Sequence, residues 1–148
     1  MAVPNGLRVP MPGDFVFPKR CLFLGVEPVK DFDAKGKDDQ ARDKDTGERL
    51  WAVRGLDLDP DAGKYGRKAE TVVKVTAPHQ PVPPEPTMPG YPPVVEFDGI
   101  TVTPYVDANA CNGRSSPHRC RARQAWSIRA TAMHPAGSLP TPAAARAQ

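Results

Sequence analysis

The sequence predicts a mainly β fold. It would be a small antiparallel barrel of the OB-like kind, or a sandwich, of five to six strands with almost no helix, a Pro-rich crossover and a disordered tail. Three observations carry that expectation. Proline and glycine, Pro 19 and Gly 12, fill 31 of 148 positions. That is about a fifth of the chain where an eighth is usual, and a proline inside a helix costs roughly 3 kcal/mol, so helical bundles and coiled coils are excluded. Apolar residues recur with a period of two in several short runs, and clusters of Asp, Gly and Pro separate those runs. Hydrophobic residues at 39% and charged residues at 25% still allow one packed core.

Taken in order, residues 1–14 read as a flexible N-terminus, 15–134 as a single β domain and 135–148 as a disordered tail. Leu22, Leu24 and Val26 alternate with Phe23, Gly25 and Glu27, which predicts a strand over about 20–30. Residues 31–49 hold twelve charged side chains in nineteen and end in the turn signal Asp45-Thr46-Gly47-Glu48. A second strand is expected over 49–58, stopped by Asp59-Pro60-Asp61-Ala62-Gly63, and a third over 69–77, with Val73 and Val75 on one face. Residues 77–93 contain eight prolines in seventeen, a density that no strand ladder or helix survives. This segment reads as an extended crossover of partly polyproline II character. It occupies the position where OB-like barrels usually place a helix, which counts against a standard version. Asp98-Gly99, between Val94–Phe97 and Ile100–Thr103, reads as a hairpin. A last strand is expected over 119–133.

The charge is unevenly spread. Residues 1–107 carry all 17 acids and 14 of the 20 Lys and Arg, a net −3, whereas 108–148 carry six arginines and no acid, a net +6. A basic final third points to a polyanionic partner. Alternation along the last strand puts Cys120, Ala122, Gln124, Trp126, Ile128 and Ala130 on one face and Arg119, Arg121, Arg123 and Arg129 on the other. Three of these arginines stand about 7 Å apart at roughly 3.3 Å of rise per residue, a spacing that suits the phosphates of an extended nucleic-acid strand. Each phosphate contacted releases counterions, so binding would weaken with salt. The competing reading is that these arginines pair with Asp residues of the first two strands, or keep an edge strand from aggregating. An acidic protein partner is a third.

Aromatic groups able to stack on bases are few. Trp126 falls on the apolar face and is expected in the core. Tyr105 falls on the Thr101/Thr103 face and is the better stacking candidate. Trp51, beside Arg49, is ambiguous. Arg54 and Lys74 complete the expected nucleic-acid-binding set.

Catalytic and metal readings are weak. Asp31-x-Asp33 and Asp57-x-Asp59-x-Asp61 open like calcium loops, but Lys35 and Arg42, or Pro60 and Lys68, fall where ligands or the turn are needed. Cys111, His118 and Cys120 lack a CxxC and a fourth ligand at zinc spacing. No phosphate-cradling glycine loop or GxSxG is present. Neither an enzyme nor a cofactor is expected. No apolar run reaches about 18 residues and no secretory signal pattern opens the chain. Three cysteines suit free thiols in a reducing cytoplasm, with a Cys111–Cys120 pair as the alternative.

Several strings together resemble a known family. They are Glu27-Pro28-Val29-x-Asp31-Phe32-Asp33, Gln40-Ala41-Arg42-Asp43-Lys44-Asp45-Thr46-Gly47 and Leu50-Trp51-x-Val53-Arg54. Further on come Val72-Val73-Lys74-Val75, His79-Gln80-Pro81-Val82-Pro83-Pro84, Val95-Glu96-Phe97-x-Gly99-Ile100-Thr101-Val102-Thr103-Pro104-Tyr105-Val106, and Cys120-Arg121-Ala122-Arg123-x-Ala125-x-Ser127-Ile128-Arg129-Ala130-Thr131. In order over about 20–133, they are similar to the plasmid replication, integration and excision activators of actinobacterial integrative and conjugative elements. The run from Cys111 to His118 looks longer than in that family. The resemblance implies an accessory role in replication, excision and integration of a mobile element and carries over no catalytic residue. Two functions are therefore expected. The first is an activator that binds nucleic acid, single-stranded DNA above all and double-stranded as a possibility, through its Arg-rich strand. The alternative is a protein–protein regulator, contacting a plasmid replication or regulatory protein, that does not itself touch DNA.

Overall fold

The computed structural model describes residues 6–33, 36, 39–64, 68–109, 111 and 121–137. The described elements run β1 (Val9–Pro10), α1 (Gly13–Val16), β2 (Cys21–Pro28), β3 (Leu50–Asp57), β4 (Glu70–Thr76), β5 (Val94–Asp98), β6 (Thr101–Asp107), β7 (Arg123–Ala130) and β8 (Ala132–Pro135). They form one curled sheet in the order β1-β6-β7-β4-β3-β2-β5-β8, a half-barrel with almost no helix. Every neighbouring pair is antiparallel except β4 with β7, which is parallel.

The expected hairpin at Asp98-Gly99 does not form. β5 pairs with β2 and β8, while β6 pairs with β1 and β7. Residues 94–107 are thus one long strand bent in its middle, and 123–135 are its long antiparallel partner, bent at the same level. Gly99 makes the corner: its φ is +60°, and a Cβ there would overlap the Thr131 side chain. Thr131 closes the other side, donating from its N–H (2.9 Å) and its hydroxyl (3.2 Å) to the Asp98 carbonyl. Glycine within a strand marks a bend at a barrel corner as readily as a turn. Local sequence alone does not separate the two.

The bend lets the long pair embrace the β2–β3–β4 meander from both sides. Taking 94–107 and 123–135 as the fourth and fifth strands, the pairing runs first-second-third-fifth-fourth and returns to the first, the order of a partly open five-stranded barrel of OB type. The closing seams are short: two residue pairs join β2 to β5 and three join β4 to β7.

Val53, Val73, Val75, Val95 and Cys21 are the largest fully buried side chains. Four are β-branched, as the inside of a twisted sheet favours. Burial, reinforced by the Asp57 carboxylate, pushes the Cys21 thiol up to about 12. The absence of a side chain at Gly55 makes room for Cys21 Sγ. Met11, Val16 and Phe17 pack against this core, with the Phe17 ring 5.8 Å from that of Phe97. Residues expected to be loose therefore belong to the domain: Val9 and Pro10 pair with Val102 and Thr101, and α1 follows at once. Burying a side chain such as Phe17 contributes roughly 1.5–3 kcal/mol, which accounts for the ordering. The crossover 77–93 carries neither helix nor strand. The tail expected over 135–148 starts later than that, because Pro135 ends β8 and the Ala136 N–H donates to the Val94 carbonyl; residues from 138 onward lie outside the described residues.

Candidate nucleic-acid interface

Cross-strand partners share a face of the sheet, so the register locates every candidate. On the outer face, Ala52 pairs with Lys74, Lys74 with Arg129, and Arg129 with Thr101. In the next row outward, Arg54 pairs with Val72 and Thr103 with Ser127, followed by Tyr105 with Ala125 and Asp107 with Arg123. Arg54, Lys74, Arg129, Tyr105 and Arg123 therefore share one face, as alternation requires. Arg121 is exposed just before β7. Arg119 lies outside the described residues.

These groups fall into two sets. In the barrel body, Arg129 is a quarter exposed and its Nη1 lies 3.2 Å from Asp43 Oδ2. Asp43 sits in the long connection from β2 to β3, which folds over the outer face and is 4% exposed. Arg8, from the N-terminal arm, reaches the same oxygen at 2.9 Å and Asp45 at 3.0 Å. Burial alone would raise the Asp43 pKa. The N–H groups of Asp45 and Thr46 and the Arg8 guanidinium outweigh it and hold the carboxyl below its ordinary value. Part of the arginine row is thus structural, as the competing reading has it. Lys74, partly buried, stands beside Arg129 in the ladder. Burial first, and then the Arg129 charge, push the Lys74 pKa down. Two cations side by side in a ladder are unfavourable by themselves. Arg54 lies across Gly25, where a Cβ would meet its guanidinium, and reaches Glu70 at 4.0 Å.

The second set stands on an arm. The β4·β7 ladder runs only from Val73↔Ile128 to Val75↔Ala130, while β6 and β7 stay paired out to Asp107↔Arg123. Five residue pairs project beyond the barrel as a two-stranded ribbon about 13 Å long. Tyr105 is 50% exposed on it, beside exposed Arg123. Pro104 fits this ribbon because of its edge. The Ile100 carbonyl accepts from Met11, so alternate β6 residues, Pro104 among them, turn their backbone toward the β1 side. No ladder hydrogen bond is lost there, and a proline blunts the exposed edge.

Two tryptophan expectations change. Trp126 is not in the core. It is 50% exposed, because its partner Pro104 lies on the arm, past the last point where β4 covers that face. Trp51 has the opposite parity from Arg54 and pairs with Val75; its Nε1 donates to the Ala77 carbonyl at 2.9 Å. It lines a shallow groove with Arg49, Pro78, His79 and Gln80, on the opposite side of β3 from Arg54.

The calcium-like aspartates have a local explanation. Asp31, Asp57 and Asp59 each accept the N–H two residues on, as Asx turns. Among the described residues no group of three His, Cys, Asp or Glu side chains is placed to hold a metal ion. Cys21 is a buried thiol, while His118 and Cys120 lie outside the described residues. A groove of about 730 Å3 between α1 and β5 contains none of the basic candidates. No helix among the described residues is long and apolar enough to cross a membrane.

Sequence reasoning missed Arg8, Asp43 and the exposure of Trp126. The Asp43-x-Asp45 spacing, ahead of Thr46-Gly47, was a legible sign of an Asx turn. Nothing local announced that its free oxygen would be reached by residues 35 positions before and 86 after it. The chain matches no protein-family model, no curated protein and no solved structure.

Proposed function

We propose that this chain is a cytoplasmic, non-enzymatic accessory protein that binds nucleic acid, single-stranded DNA in preference, and thereby assists replication, integration and excision of a mobile element. The observation that carries the binding reading is the projecting β6–β7 ribbon. Exposed Arg123 and Tyr105 share one face of it, with Asp107 opposite Arg123, and exposed Arg121 comes just before β7; from 108 onward the sequence carries no acid. Lys74 and Arg54 continue the same face onto the barrel. Guanidinium groups meet phosphates, and an exposed phenol ring offers a stacking surface to any base. The OB-type strand order supports this reading by analogy alone. The mobile-element role rests on the family resemblance of the sequence strings.

The alternative is a regulator that reads an acidic protein and never touches DNA. The contact of Asp43 with Arg129 within the chain supports a carboxylate as a partner for this face. A gel shift with matched single- and double-stranded oligonucleotides across a salt series separates the two. Retention that weakens steeply with salt, with slope about −0.7 per phosphate contact for single strands, supports nucleic acid. No shift even at about 50 mM salt, where phosphate contacts are strongest, sinks it.

A further inference from the structure

The Pro-rich crossover 77–93 belongs neither to the arm nor to the basic face, and both of its ends are tied to the barrel. Trp51 Nε1 donates to the Ala77 carbonyl at 2.9 Å, and the Phe23 N–H donates to the Pro93 carbonyl at 2.9 Å. Between these ties, residues 80–86 run without helix, strand, turn or bend. The chain then turns over 88–91, where the Tyr91 N–H donates to the Met88 carbonyl and Gly90 has a φ of +84°. Local chemistry dictates the shape of the straight run. Pro81, Pro83, Pro84 and Pro86 hold φ near about −65°. Gln80, Val82, Pro83 and Glu85 each precede a proline and are pushed to extended ψ. Together these constraints select polyproline II, with 3 residues per turn and about 3.1 Å of rise, or about 20 Å for the run. Burial follows the same period. Pro81 and Pro84 are half-buried, whereas Val82, Pro83, Glu85 and Pro86 are exposed, Val82 at 83%. One ridge of the helix is turned inward and the other two face out.

We propose that Val82-Pro83-Pro84-Glu85-Pro86 is a docking ligand for a partner protein with an aromatic-lined groove of the SH3 kind. Such grooves read polyproline II segments of the form P-x-x-P, here Pro83 and Pro86. The outward ridges carry the pairs Val82-Pro83 and Glu85-Pro86, one turn and about 9 Å apart. Each pair fills one slot between ring side chains, while the exposed carbonyls accept from donors in the groove. Pro84 between them is turned inward and serves as the spacer. The run already has its bound shape, so little conformational entropy is lost on docking. Its chemistry selects this occupant. Prolines remove the N–H from four of the seven residues, so the run cannot add as a strand to a sheet edge. Residues 77–93 hold no Lys or Arg and one carboxylate, Glu85, so a nucleic acid is not attracted there. Glu85 calls instead for a cation at the rim of the partner's groove. The inference stands independently of the nucleic-acid reading.

The test uses the full chain, dye-labelled, titrated by anisotropy against a panel of purified SH3 domains that includes ones with basic groove rims. Saturable binding by a basic-rimmed domain is expected. Pro83→Ala/Pro86→Ala should weaken it about tenfold or more, as should replacing a ring side chain in that domain's groove, whereas Pro84→Ala should cost no more than about twofold. A short polyproline peptide should displace the native chain from the same domain. That displacement is read on the unaltered chain, so a poorly folded variant does not decide the matter. Binding by no domain of the panel, failure of the peptide to compete, or equal weakening by Pro84→Ala and by the double variant overturns the inference and leaves the run as a rigid spacer. Oligonucleotide binding, followed in parallel, should be the same for the native and the Pro83→Ala/Pro86→Ala chains. Its loss in the variant would assign the run to the nucleic-acid site and also overturn the inference.

Discussion

The two halves of the long bent strand pair have opposite surroundings. Toward the barrel, Val95, Phe97, Val102 and Ala130 are at most 6% exposed, held between the β2–β3–β4 meander and the N-terminal plug of Met11, Val16 and Phe17. A few residues further along the same two strands, Tyr105, Val106 and Trp126 are 50, 70 and 50% exposed. Backbone pairing is unbroken across the change. What ends is the cover, because β4 diverges after Val73↔Ile128. A two-stranded ribbon is marginally stable by itself, so the arm depends on the barrel for its stability while the barrel does not depend on the arm. The division leaves Tyr105, Val106 and Trp126 exposed on the arm.

The largest effects are expected in the body. Gly55→Ala would drive a methyl into Cys21 Sγ, and the expected loss is about 3 kcal/mol in chemical denaturation. Adding Cys21→Ala to the same chain restores a good part of it. If Gly55→Ala is neutral, the barrel is less tightly packed than described and the contrast with the arm weakens.

Asp43→Asn comes next. It breaks the contacts from Arg8 and Arg129, with an expected loss of about 1–2 kcal/mol at pH 7. The sign of its pH dependence follows from the lowered Asp43 pKa. A depressed carboxyl contributes stability above its unfolded value of about 3.9 and loses it as pH falls through the folded value. Denaturation midpoints of the native chain should therefore fall below about pH 4. The Asn variant should start lower and lose less over that range.

On the arm, joint replacement of Arg121 and Arg123 by Ala is expected to shift stability by no more than about 0.5 kcal/mol. Single-strand affinity should drop roughly tenfold, with the salt slope shallower by about 1.4. Smallest of all is Lys74→Met. Relief from burial and from Arg129 should leave stability unchanged or raise it by up to about 1 kcal/mol, while affinity falls two- to threefold, about one phosphate contact in part. A stability loss there would mean that Lys74 has a partner holding the barrel together.

The strands themselves were legible because alternation is a local property. Leu22 to Val26, Leu50 to Leu56 and Val73 to Val75 lie in strands close to where the pattern puts them. The pairing register brings Arg54, Lys74 and Tyr105 to the face on which alternation alone put Arg123 and Arg129. Alternation says which residues share a face, and not whether anything covers that face. Trp126 was therefore assigned to the core by its parity and is exposed by the tertiary path of β4. Asp98-Gly99 was ambiguous for a related reason. A positive φ serves a tight turn and a barrel corner alike, and only the distant Thr131 decides which. The Arg8–Asp43–Arg129 cluster joins three widely separated parts of the chain, and no local pattern encodes such a meeting.

The central claim, that the arm contacts nucleic acid while the body holds the fold, is tested most directly by one titration. Anisotropy of a labelled single-stranded oligonucleotide is measured at low salt with the native chain and with the Arg121→Ala/Arg123→Ala chain, both shown to melt alike. The account predicts saturable binding by the native chain and about tenfold weaker binding by the variant, roughly what loss of two phosphate contacts removes. Equal affinity of the two chains, or no binding by either, would contradict it.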